Sequence, residues 1–420
     1  MKILILKPTS LGDVVQALPV LRLLKLHLPQ SEIFWWIDAD LVGLVESDPG
    51  LTGIFKFDRK RWAAPRSWPE MLTSIRAMRA RRFSWVIDLQ GLARSGLFAW
   101  LAHGSLTIGL DDAREGARGF YDVAVPRPSP AAHAVDWYLS ILPFLGVPVH
   151  WQFQWLPERP EIAAKVRDKW NAGSARWLLL VPGARWENKR WPAEYFADLV
   201  KRLSRADSEL RFAILGSVKD AAAAQVIADV DRQRCLDLTG QTSLPEMIEW
   251  VRLGELMVTN DTGPMHVAAA LGKPVVAIFG PTDPNRTGPY RQQPNTIQVR
   301  HLPCVPCLKD RCSYVKPLEC LRAVTPAMVY VHVRFAHGTA DVLRNTSVGA
   351  GACCEAEITA REARPLSKRP DNLSDTRPKD EDERSTFQEP PREGTRLKPV
   401  AVSLQLEFTL ALTRAPLLLN

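Results

Sequence analysis

Short β-branched apolar runs alternate with amphipathic stretches along most of this chain, and this alternation limits the possible folds more than any other feature. The apolar runs lie at residues 3–6, 33–37, 85–89, 177–181, 211–215, 256–259 and 274–279. The stretches with helical spacing lie at residues 14–27, 69–82, 192–205, 219–231, 243–253 and 262–271. Strands that alternate with helices indicate parallel sheets covered by helices. We therefore expect an α/β chain made of two units in tandem.

The break between the two units is a Pro-rich and Trp-rich stretch at residues 143–160. We expect a first domain at 1–158, a second domain at 159–336, and a ligand cleft between them. From residue 337 onward Pro, Ser, Arg and acidic residues dominate, without strand or helix periodicity. We expect 337–420 to be a low-complexity, disordered tail.

The charge balance indicates the kind of partner. The chain carries a net charge of +8, and the charges nearly cancel in the tail, so the excess lies in the two domains. A net positive charge suits an anionic partner such as nucleic acid, phospholipid or a phosphorylated sugar. No run of about 18 uncharged apolar residues occurs, and the seven cysteines, none before Cys235, do not form a secreted disulfide pattern. We expect a cytoplasmic protein that does not span a membrane.

The segment from Lys7 to Asp13 follows the first predicted strand and leads into a helix. Gly12 permits a tight turn there. Asp13 is placed either to cap the helix or to act as a general base facing the cleft, and the spacing alone leaves both open. The segment lacks the G-x-G-x-x-G of dinucleotide folds and the G-K-[ST] of P-loops, which argues against dehydrogenases and NTPases.

A basic loop follows the strand predicted at 177–181. Gly183 would let backbone N–H groups approach an anion, and Arg185 or Lys189 could neutralise a diphosphate. A solvated surface loop is the alternative interpretation of the same residues.

The most informative segment follows the strand predicted at 256–259. Asp261, Thr262 and Gly263 turn the chain into an Ala-rich helix, whose N terminus attracts anions. Asp261 would repel phosphate but suits sugar hydroxyls, and His266 lies one turn on, facing the same side as Thr262. A lone helical histidine is more often structural, but its polar neighbours favour a binding site here.

A strongly basic stretch lies between residues 59 and 82, where Glu70 is the acidic residue. Its cations are Arg59, Lys60, Arg61, Arg66, Arg76, Arg79, Arg81 and Arg82, with Trp62 and Trp68 among them. This pattern favours contact with anionic lipid, and a solvated basic face is the alternative. We find no helix-turn-helix, RNP or zinc-finger pattern that would favour nucleic acid.

Four cysteines, Cys304, Cys307, Cys312 and Cys320, cluster near the end of the second domain. Four thiols at this spacing could hold zinc as a structural site or form redox-labile pairs, and ordinary buried thiols are the alternative. We assign no metal and no chemistry to them.

Six segments in this order resemble the lipopolysaccharide heptosyltransferases of glycosyltransferase family 9. They are residues 7–13, 88–92 (Asp-Leu-Gln-Gly-Leu), 113–115 (Ala-Arg-Glu), 189–192 (Lys-Arg-Trp-Pro), 261–266 (Asp-Thr-Gly-x-x-His) and 280–284 (Gly-Pro-Thr-Asp-Pro). The resemblance runs from Met1 to about Arg334. It implies a GT-B architecture, with two Rossmann-like domains, the acceptor bound mainly by the first, and ADP-heptose mainly by the second. It also implies that a last helix, near 325–335, packs back on the first domain.

The same resemblance implies roles for individual residues. Asp13 would be the base that deprotonates the acceptor hydroxyl, with inversion at the sugar and no metal. The predicted donor-binding residues are Arg185, Lys189, Asp261, Thr262, Gly263 and His266. The predicted acceptor-binding residues are Gly12, Arg59, Lys60, Arg61, Gln90 and Arg114.

The leading interpretation is transfer of L-glycero-D-manno-heptose from ADP-heptose to Kdo-lipid A or heptosyl-Kdo-lipid A, peripherally at the cytoplasmic face of the bacterial inner membrane. We expect no cofactor and no nucleic-acid partner. The segment 182–184 is closer to heptosyltransferase II, whereas 90–91 and 113–115 are closer to heptosyltransferase I, so the step stays open. The alternatives are a family 9 transferase with another nucleotide sugar, and a non-catalytic binder of anionic glycolipid with the same fold.

Overall fold

The computed structural model describes residues 1–111 and 115–347 of the chain. This part contains two parallel sheets of six strands each. The first sheet holds β1 (Lys2–Leu6), β2 (Glu32–Asp38), β3 (Gly53–Phe57), β4 (Trp85–Asp88), β5 (Leu106–Asp111) and β6 (Val123–Pro126). The second holds β7 (Arg176–Val181), β8 (Leu210–Ile214), β9 (Cys235–Asp237), β10 (Leu256–Asn260), β11 (Val275–Phe279) and β12 (Thr296–Gln298).

The helices follow the strands in alternation. The first half contains α1 (Leu11–His27), α2 (Val42–Val45), α3 (Arg59–Trp62), α4 (Trp68–Ala80), α5 (Ala93–Ala102) and α6 (Ala134–Leu139). The second half contains α7 (Pro160–Lys169), α8 (Ala193–Ala206), α9 (Ala221–Ala228), α10 (Leu244–Leu253), α11 (Gly263–Ala270), α12 (Pro284–Thr287), α13 (Glu319–Arg322) and α14 (Pro326–Ser347). In the described residues, no helix is both long enough and apolar enough to cross a bilayer.

The two sheets share one strand order. It is β3-β2-β1-β4-β5-β6 in the first and β9-β8-β7-β10-β11-β12 in the second. In such a doubly wound sheet the winding reverses between the first and fourth strands, and ligands bind at the carboxyl ends beside that reversal. The reversal lies between β1 and β4 in one half and between β7 and β10 in the other. Two Rossmann units in tandem confirm the predicted GT-B architecture.

The central strands are buried on both faces. Residues 3–6 of β1 are fully buried, as are residues 257–260 of β10. Helices cover both sides of each sheet, so these strands are continuous apolar runs and do not alternate with polar residues. This explains why the sequence pattern marks them clearly.

Five strands have no counterpart in the predicted set: β3, β5, β6, β9 and β12. They are three to six residues long and include Gly, Thr, Lys, Asp or Pro. Their hydrophobic pattern is weak because they lie at or near the edges of the sheets, where pairing with a neighbouring strand defines them.

The last helix differs from the prediction. Val329, Val333 and Ala336 of α14 are buried in the apolar core of the second half, where the helix packs against α8, β10 and β11. These three side chains therefore pack on the second domain. The helix also continues beyond residue 336, where the tail was expected to begin, and residues 348–420 lie outside the described part.

Candidate active site

The carboxylate of Asp13 closes the first turn of α1. Ser10 is the N-cap residue, and Asp13 Oδ2 accepts hydrogen bonds from the N–H and the hydroxyl of Ser10, both at 2.8 Å. Its Oδ1 has the Tyr138 hydroxyl at 3.5 Å. β1 ends beside the reversal of the first sheet, so this carboxylate lies at the ligand-binding edge. Helix capping and a catalytic role are compatible here, because they use different oxygens.

The surroundings of Asp13 favour its ionised form. Burial raises the pKa of the carboxyl, but Lys7, the two bonds from Ser10 and the nearby His266 lower it more, so the net shift of the pKa is downward. Lys7 is itself buried: its Nζ donates to the Leu89 carbonyl at 2.9 Å and lies 4.6 Å from the centre of the Tyr138 ring. Asp13 is therefore a carboxylate at neutral pH, able to accept a proton from a bound hydroxyl.

The first turns of α1 and α11 meet across the two halves. A Cβ on Gly12 would lie 2.3 Å from Cδ2 of His266, and a Cβ on Gly263 would lie 2.6 Å from Cδ2 of Leu11. Both glycines are thus needed for close approach. Burial lowers the pKa of His266 to about 4 against the opposing effect of Asp261 and Asp13. The imidazole at this contact is neutral at physiological pH.

A second group of polar side chains lies where three strands of the second sheet end. Asp261 is 8% exposed, and its Oδ2 accepts from Lys189 Nζ and from the Thr282 hydroxyl, each at 2.6 Å. Thr262 is the N-cap of α11, and its hydroxyl makes no capping bond within that helix. Pro264 has no N–H and the Met265 N–H donates to the Thr262 carbonyl at 3.2 Å, so the Gly263 N–H is the open donor of this first turn. It lies beside an ammonium group, which is an arrangement suited to an anion.

Asn260 fixes the loops that carry these groups. It is fully buried at the end of β10, its Nδ2 donates to the Pro182 carbonyl at 2.7 Å, and its Oδ1 accepts from the Trp191 N–H at 3.0 Å. Both ends of the basic loop after β7 are thus tied to the strand that precedes Asp261. This explains how Lys189, distant in sequence, reaches Asp261.

The predicted acceptor residues Arg59, Lys60 and Arg61 form most of α3 and are exposed. They line a cleft of about 1150 Å³, whose lining also includes Ser10 and Arg185. Arg185 is exposed and shares the cleft with these three residues, whereas Lys189 points to Asp261. The structure thus places Arg185 in this cleft and Lys189 beside Asp261.

Gln90 follows β4, next to a buried carboxylate. Its N–H donates to Asp88 at 2.8 Å, and Asp88 accepts a further bond from the Tyr121 hydroxyl at 2.6 Å. The buried Oε1 of Gln90 has no hydrogen-bond partner among the described residues. Burial raises the pKa of Asp88 in spite of these bonds. Arg114, the remaining predicted acceptor residue, lies outside the described part of the chain.

A family model described as Glycosyltransferase family 9 (heptosyltransferase) matches residues 71–317. The chain belongs to glycosyltransferase family 9. The match covers more than half of the chain and includes Lys189, Asp261 and His266, whereas Asp13 lies before it. The prediction of the family and of a glycosyltransferase is confirmed.

Curated relatives of this family 9 glycosyltransferase include lipopolysaccharide heptosyltransferase 1 of Pseudomonas aeruginosa, 29% identical over 341 residues, which are 76% of this chain and 89% of that protein. The lipopolysaccharide core heptosyltransferase OpsX of Haemophilus influenzae is 23% identical over 297 residues, 70% of this chain and 83% of that protein. Lipopolysaccharide heptosyltransferase 2 of Escherichia coli K12 is 26% identical over 314 residues, with 71% and 88% covered.

Solved structures show the same fold. E. coli ADP-heptose lps heptosyltransferase II superposes with a TM-score of 0.65 at 22% identity, over 81% of this chain and all of that one. A family 9 glycosyltransferase from Veillonella parvula gives 0.69 at 23% identity, with 80% and 97% covered. E. coli heptosyltransferase WaaC with ADP gives 0.63 at 24%, with 80% and 100% covered.

The four clustered cysteines of this transferase line one small cavity, together with Asn188 and Pro281. Their thiols are free, and no three His, Cys, Asp or Glu side chains within 1–111 and 115–347 are arranged to hold a metal ion. The segment is anchored beside the site, since Asn188 Nδ2 donates to the Lys309 carbonyl and the Leu308 N–H to the Pro281 carbonyl, both at 2.8 Å.

Four residues at these sites are absent from the predicted set: Lys7, Tyr138, Thr282 and Lys219. Lys7 and Thr282 lie inside the recognised segments 7–13 and 280–284, so the signal for them was present in the sequence. Tyr138 lies on α6 and reaches Asp13 through the packing of α6 on α1. Lys219 lies in a turn after β8 with no distinctive pattern.

Proposed function

We propose that this family 9 transferase moves L-glycero-D-manno-heptose from ADP-heptose to the Kdo-lipid A or heptosyl-Kdo-lipid A region of lipopolysaccharide, with inversion at the anomeric carbon. The observation that carries the proposal is the meeting of α1 and α11 at Gly12 and His266. It brings an ionised carboxylate of the first domain to the helix start of the second, beside Lys189. The names of the curated relatives support heptose and lipopolysaccharide as the substrates.

In the proposed reaction Asp13 is the catalytic base. The acceptor hydroxyl gives its proton to Asp13 Oδ1 while its oxygen forms a bond to the anomeric carbon of heptose. The bond from that carbon to the diphosphate oxygen breaks on the opposite face, and ADP leaves with the electron pair. Inversion follows from a single displacement with one base.

The second domain would stabilise the leaving diphosphate without a metal. The open N–H groups at Thr262 and Gly263 and the Lys189 ammonium lie together, and they match the negative charge that develops on ADP. Asp261 holds Lys189 in place and offers an oxygen to a sugar hydroxyl. His266, neutral and packed on Gly12, would contact the nucleotide sugar without adding charge.

The acceptor would enter through the cleft lined by α3. Arg59, Lys60 and Arg61 there suit the carboxylates and phosphates of Kdo-lipid A, and Gln90 and Arg114 complete the proposed set on the first domain. We place the enzyme peripherally on the cytoplasmic face of the inner membrane, because Trp68 and Leu72 are exposed on the basic helix α4.

The deciding experiment incubates the purified protein with ADP-heptose and either Kdo-lipid A or heptosyl-Kdo-lipid A, followed by mass spectrometry. We expect a gain of one heptose on one acceptor, which also identifies the step. Asp13→Ala should abolish transfer yet keep ADP-heptose binding, and Asp168→Ala, which removes an exposed carboxylate on α7, is the matched control. Absence of ADP-heptose binding would exclude the donor, and a bound donor without transfer to either acceptor would exclude these acceptors.

A further inference from the structure

The charges of the large cleft are divided unequally between the two domains. On the first-domain wall, Lys60 Nζ lies 3.1 Å from the Asp40 carboxylate, and Arg61 lies 2.5 Å from Glu70. All four side chains line the cleft. These pairs are exposed and offset one another, so they contribute little net potential to the space between the domains.

The two other cations of this wall, Arg59 and Arg66, are matched in number by Asp38 and Asp58, which also line the cleft. The first-domain wall therefore has no excess of positive charge, although its sequence is rich in arginine. A polyanion that contacts the cations of this wall also meets their acidic partners, so a net attraction needs further positive charge from elsewhere.

The second-domain wall supplies that charge. Arg185 and Lys219 line the same cleft, both are exposed, and neither forms an ion pair with a residue in the described part of the chain. The acidic residues that line the cleft, as far as the structure describes it, all belong to the first domain. Its net positive charge thus comes from these two side chains.

The turns that carry Arg185 and Lys219 are packed together. A Cβ on Gly183 would lie 2.5 Å from Cγ of Asp220, so the loop after β7 rests directly on the turn after β8. Asp220 Oδ2 accepts from the N–H and the hydroxyl of Ser217, at 2.9 and 2.8 Å. The backbone segments that carry the two cations are therefore packed against each other, which reduces the entropy cost of binding a common ligand.

The group proposed to bind the donor phosphates lies next to this cleft, since Leu11 lines the cleft and packs on Gly263. Lys189, Asp261 and Thr282 form their own group at the start of α11, and none of the three is among the described residues that line the cleft. The cleft instead reaches Ser10, whose N–H and hydroxyl bind Asp13. A ligand in the cleft therefore approaches the proposed base from the acceptor side.

We propose that Arg185 and Lys219 are acceptor-binding residues, which complete the acceptor site from the second domain by contacting a carboxylate or phosphate of the acceptor. This rests on the proposed function and revises the sequence-based assignment of Arg185 to the donor. The acceptor then contacts both walls of the cleft, with α3 on one side and Arg185 and Lys219 on the other.

The test measures equilibrium binding of Kdo-lipid A in detergent micelles and of ADP separately, and the KM for each substrate where turnover occurs. Arg185→Ala and Lys219→Ala should each weaken Kdo-lipid A binding about tenfold, as expected for loss of one charge-assisted contact. ADP binding and the KM for ADP-heptose should stay within about twofold of the wild-type values. Arg185→Lys and Lys219→Arg should retain most of the affinity.

Lys165→Ala and Arg205→Ala, which remove exposed cations of the second domain away from the cleft, are the matched controls and should bind both ligands as wild type does. A loss of ADP affinity in Arg185→Ala with unchanged Kdo-lipid A binding would overturn the proposal, as would unchanged binding of both ligands. Failure of the wild type to transfer heptose contradicts the proposed function instead, and the binding measurements still decide the roles of Arg185 and Lys219.

Discussion

At the scale of single residues, the most demanding position is Gly12, because the imidazole of His266 occupies the space where a side chain would lie. Its backbone does not require glycine, since its φ is not positive. The requirement is the approach of two helices from different halves of the chain. The sequence pattern predicts that Gly12 permits a tight turn, whereas the structure shows that glycine is needed for the contact with His266.

We expect Gly12→Ala to reduce activity strongly and to destabilise the protein by about 1–3 kcal/mol, the usual cost of overpacking a fixed contact. Initial rates of heptose transfer and urea unfolding measure the two effects. Gly119→Ala is the matched control, because a Cβ there would meet no atom within 4 Å. Equal activity of the two variants would show that α1 and α11 do not need their close approach.

His266 gives the protein a pH dependence of stability. Burial lowers its pKa from 6.5 to about 4 in the folded state, so the unfolded chain binds a proton that the folded chain does not. This contribution to stability is complete above pH 6.5 and is lost as the pH falls toward 4. At pH 5 we expect a loss on the order of 1–2 kcal/mol relative to pH 7 from this group.

Urea unfolding at pH 7 and pH 5 tests this expectation. His266→Asn should lose less free energy of unfolding between the two pH values than the wild type, whereas His301→Asn, an exposed histidine, should behave as the wild type does. An identical pH dependence for wild type and His266→Asn would contradict it.

Above pH 5 the lowered pKa of Asp13 also keeps that carboxylate ionised, so the rate of transfer should not fall with decreasing pH in that range.

At the scale of elements, α4 joins the cleft to the outer surface. Its start carries Glu70, which lines the cleft, while Trp68 and Leu72 are 40% and 47% exposed. Arg76 and Arg79 follow one and two turns later and are also exposed. Exposed apolar groups beside arginines are typical of helices that lie at the surface of an anionic bilayer.

We expect the protein to co-sediment with phosphatidylglycerol vesicles and much less with phosphatidylcholine vesicles. Trp68→Ala combined with Leu72→Ala should reduce the bound fraction severalfold, because about 1–2 kcal/mol of apolar insertion is lost. Trp100→Ala removes a tryptophan that is 51% exposed on α5 and is the matched control. Equal binding to both kinds of vesicle would speak against this surface.

At the scale of the whole molecule, Arg159 ties the second domain to the first. It precedes α7, is 7% exposed, and its guanidinium donates to the carbonyls of Gly43, Leu44 and Glu46 at 2.9–3.0 Å. These carbonyls lie in and just after the short helix α2. Carbonyls at a helix C terminus have no partner within the helix, and the guanidinium supplies one. One side chain thus satisfies three carbonyls across the domain junction, of which that of Leu44 is buried.

We expect Arg159→Met to lower the free energy of unfolding by about 1–3 kcal/mol, since it leaves the buried Leu44 carbonyl without a partner. In scanning calorimetry the variant should melt at a lower temperature than the wild type. Arg167→Met, on the exposed side of α7, should melt as the wild type does. A single transition at the wild-type temperature would contradict this role.

Much of the fold follows from short-range pattern. The seven predicted strands and six predicted helices are all present, because central strands buried on both faces and amphipathic helices leave a strong local signature. The edge strands β9 and β12 are three residues long and leave none. The residues of α14 that join the second core are known only from the packing of the helix, because its sequence does not encode the surface that it covers.

By itself the sequence determined the family, the tandem Rossmann architecture and the segments that carry Asp13, Lys189 and Asp261, because these depend on residues close together in the chain. Only the tertiary structure decided which groups meet: Lys189 with Asp261, Gly12 with His266, and Arg185 with the other residues that line the α3 cleft. The physical reason is that strand order and helix packing bring distant loops to one edge, and no local pattern encodes the partner of a side chain. Hydrophobic periodicity fixes the elements, whereas the pairing of buried charges is fixed when the elements pack.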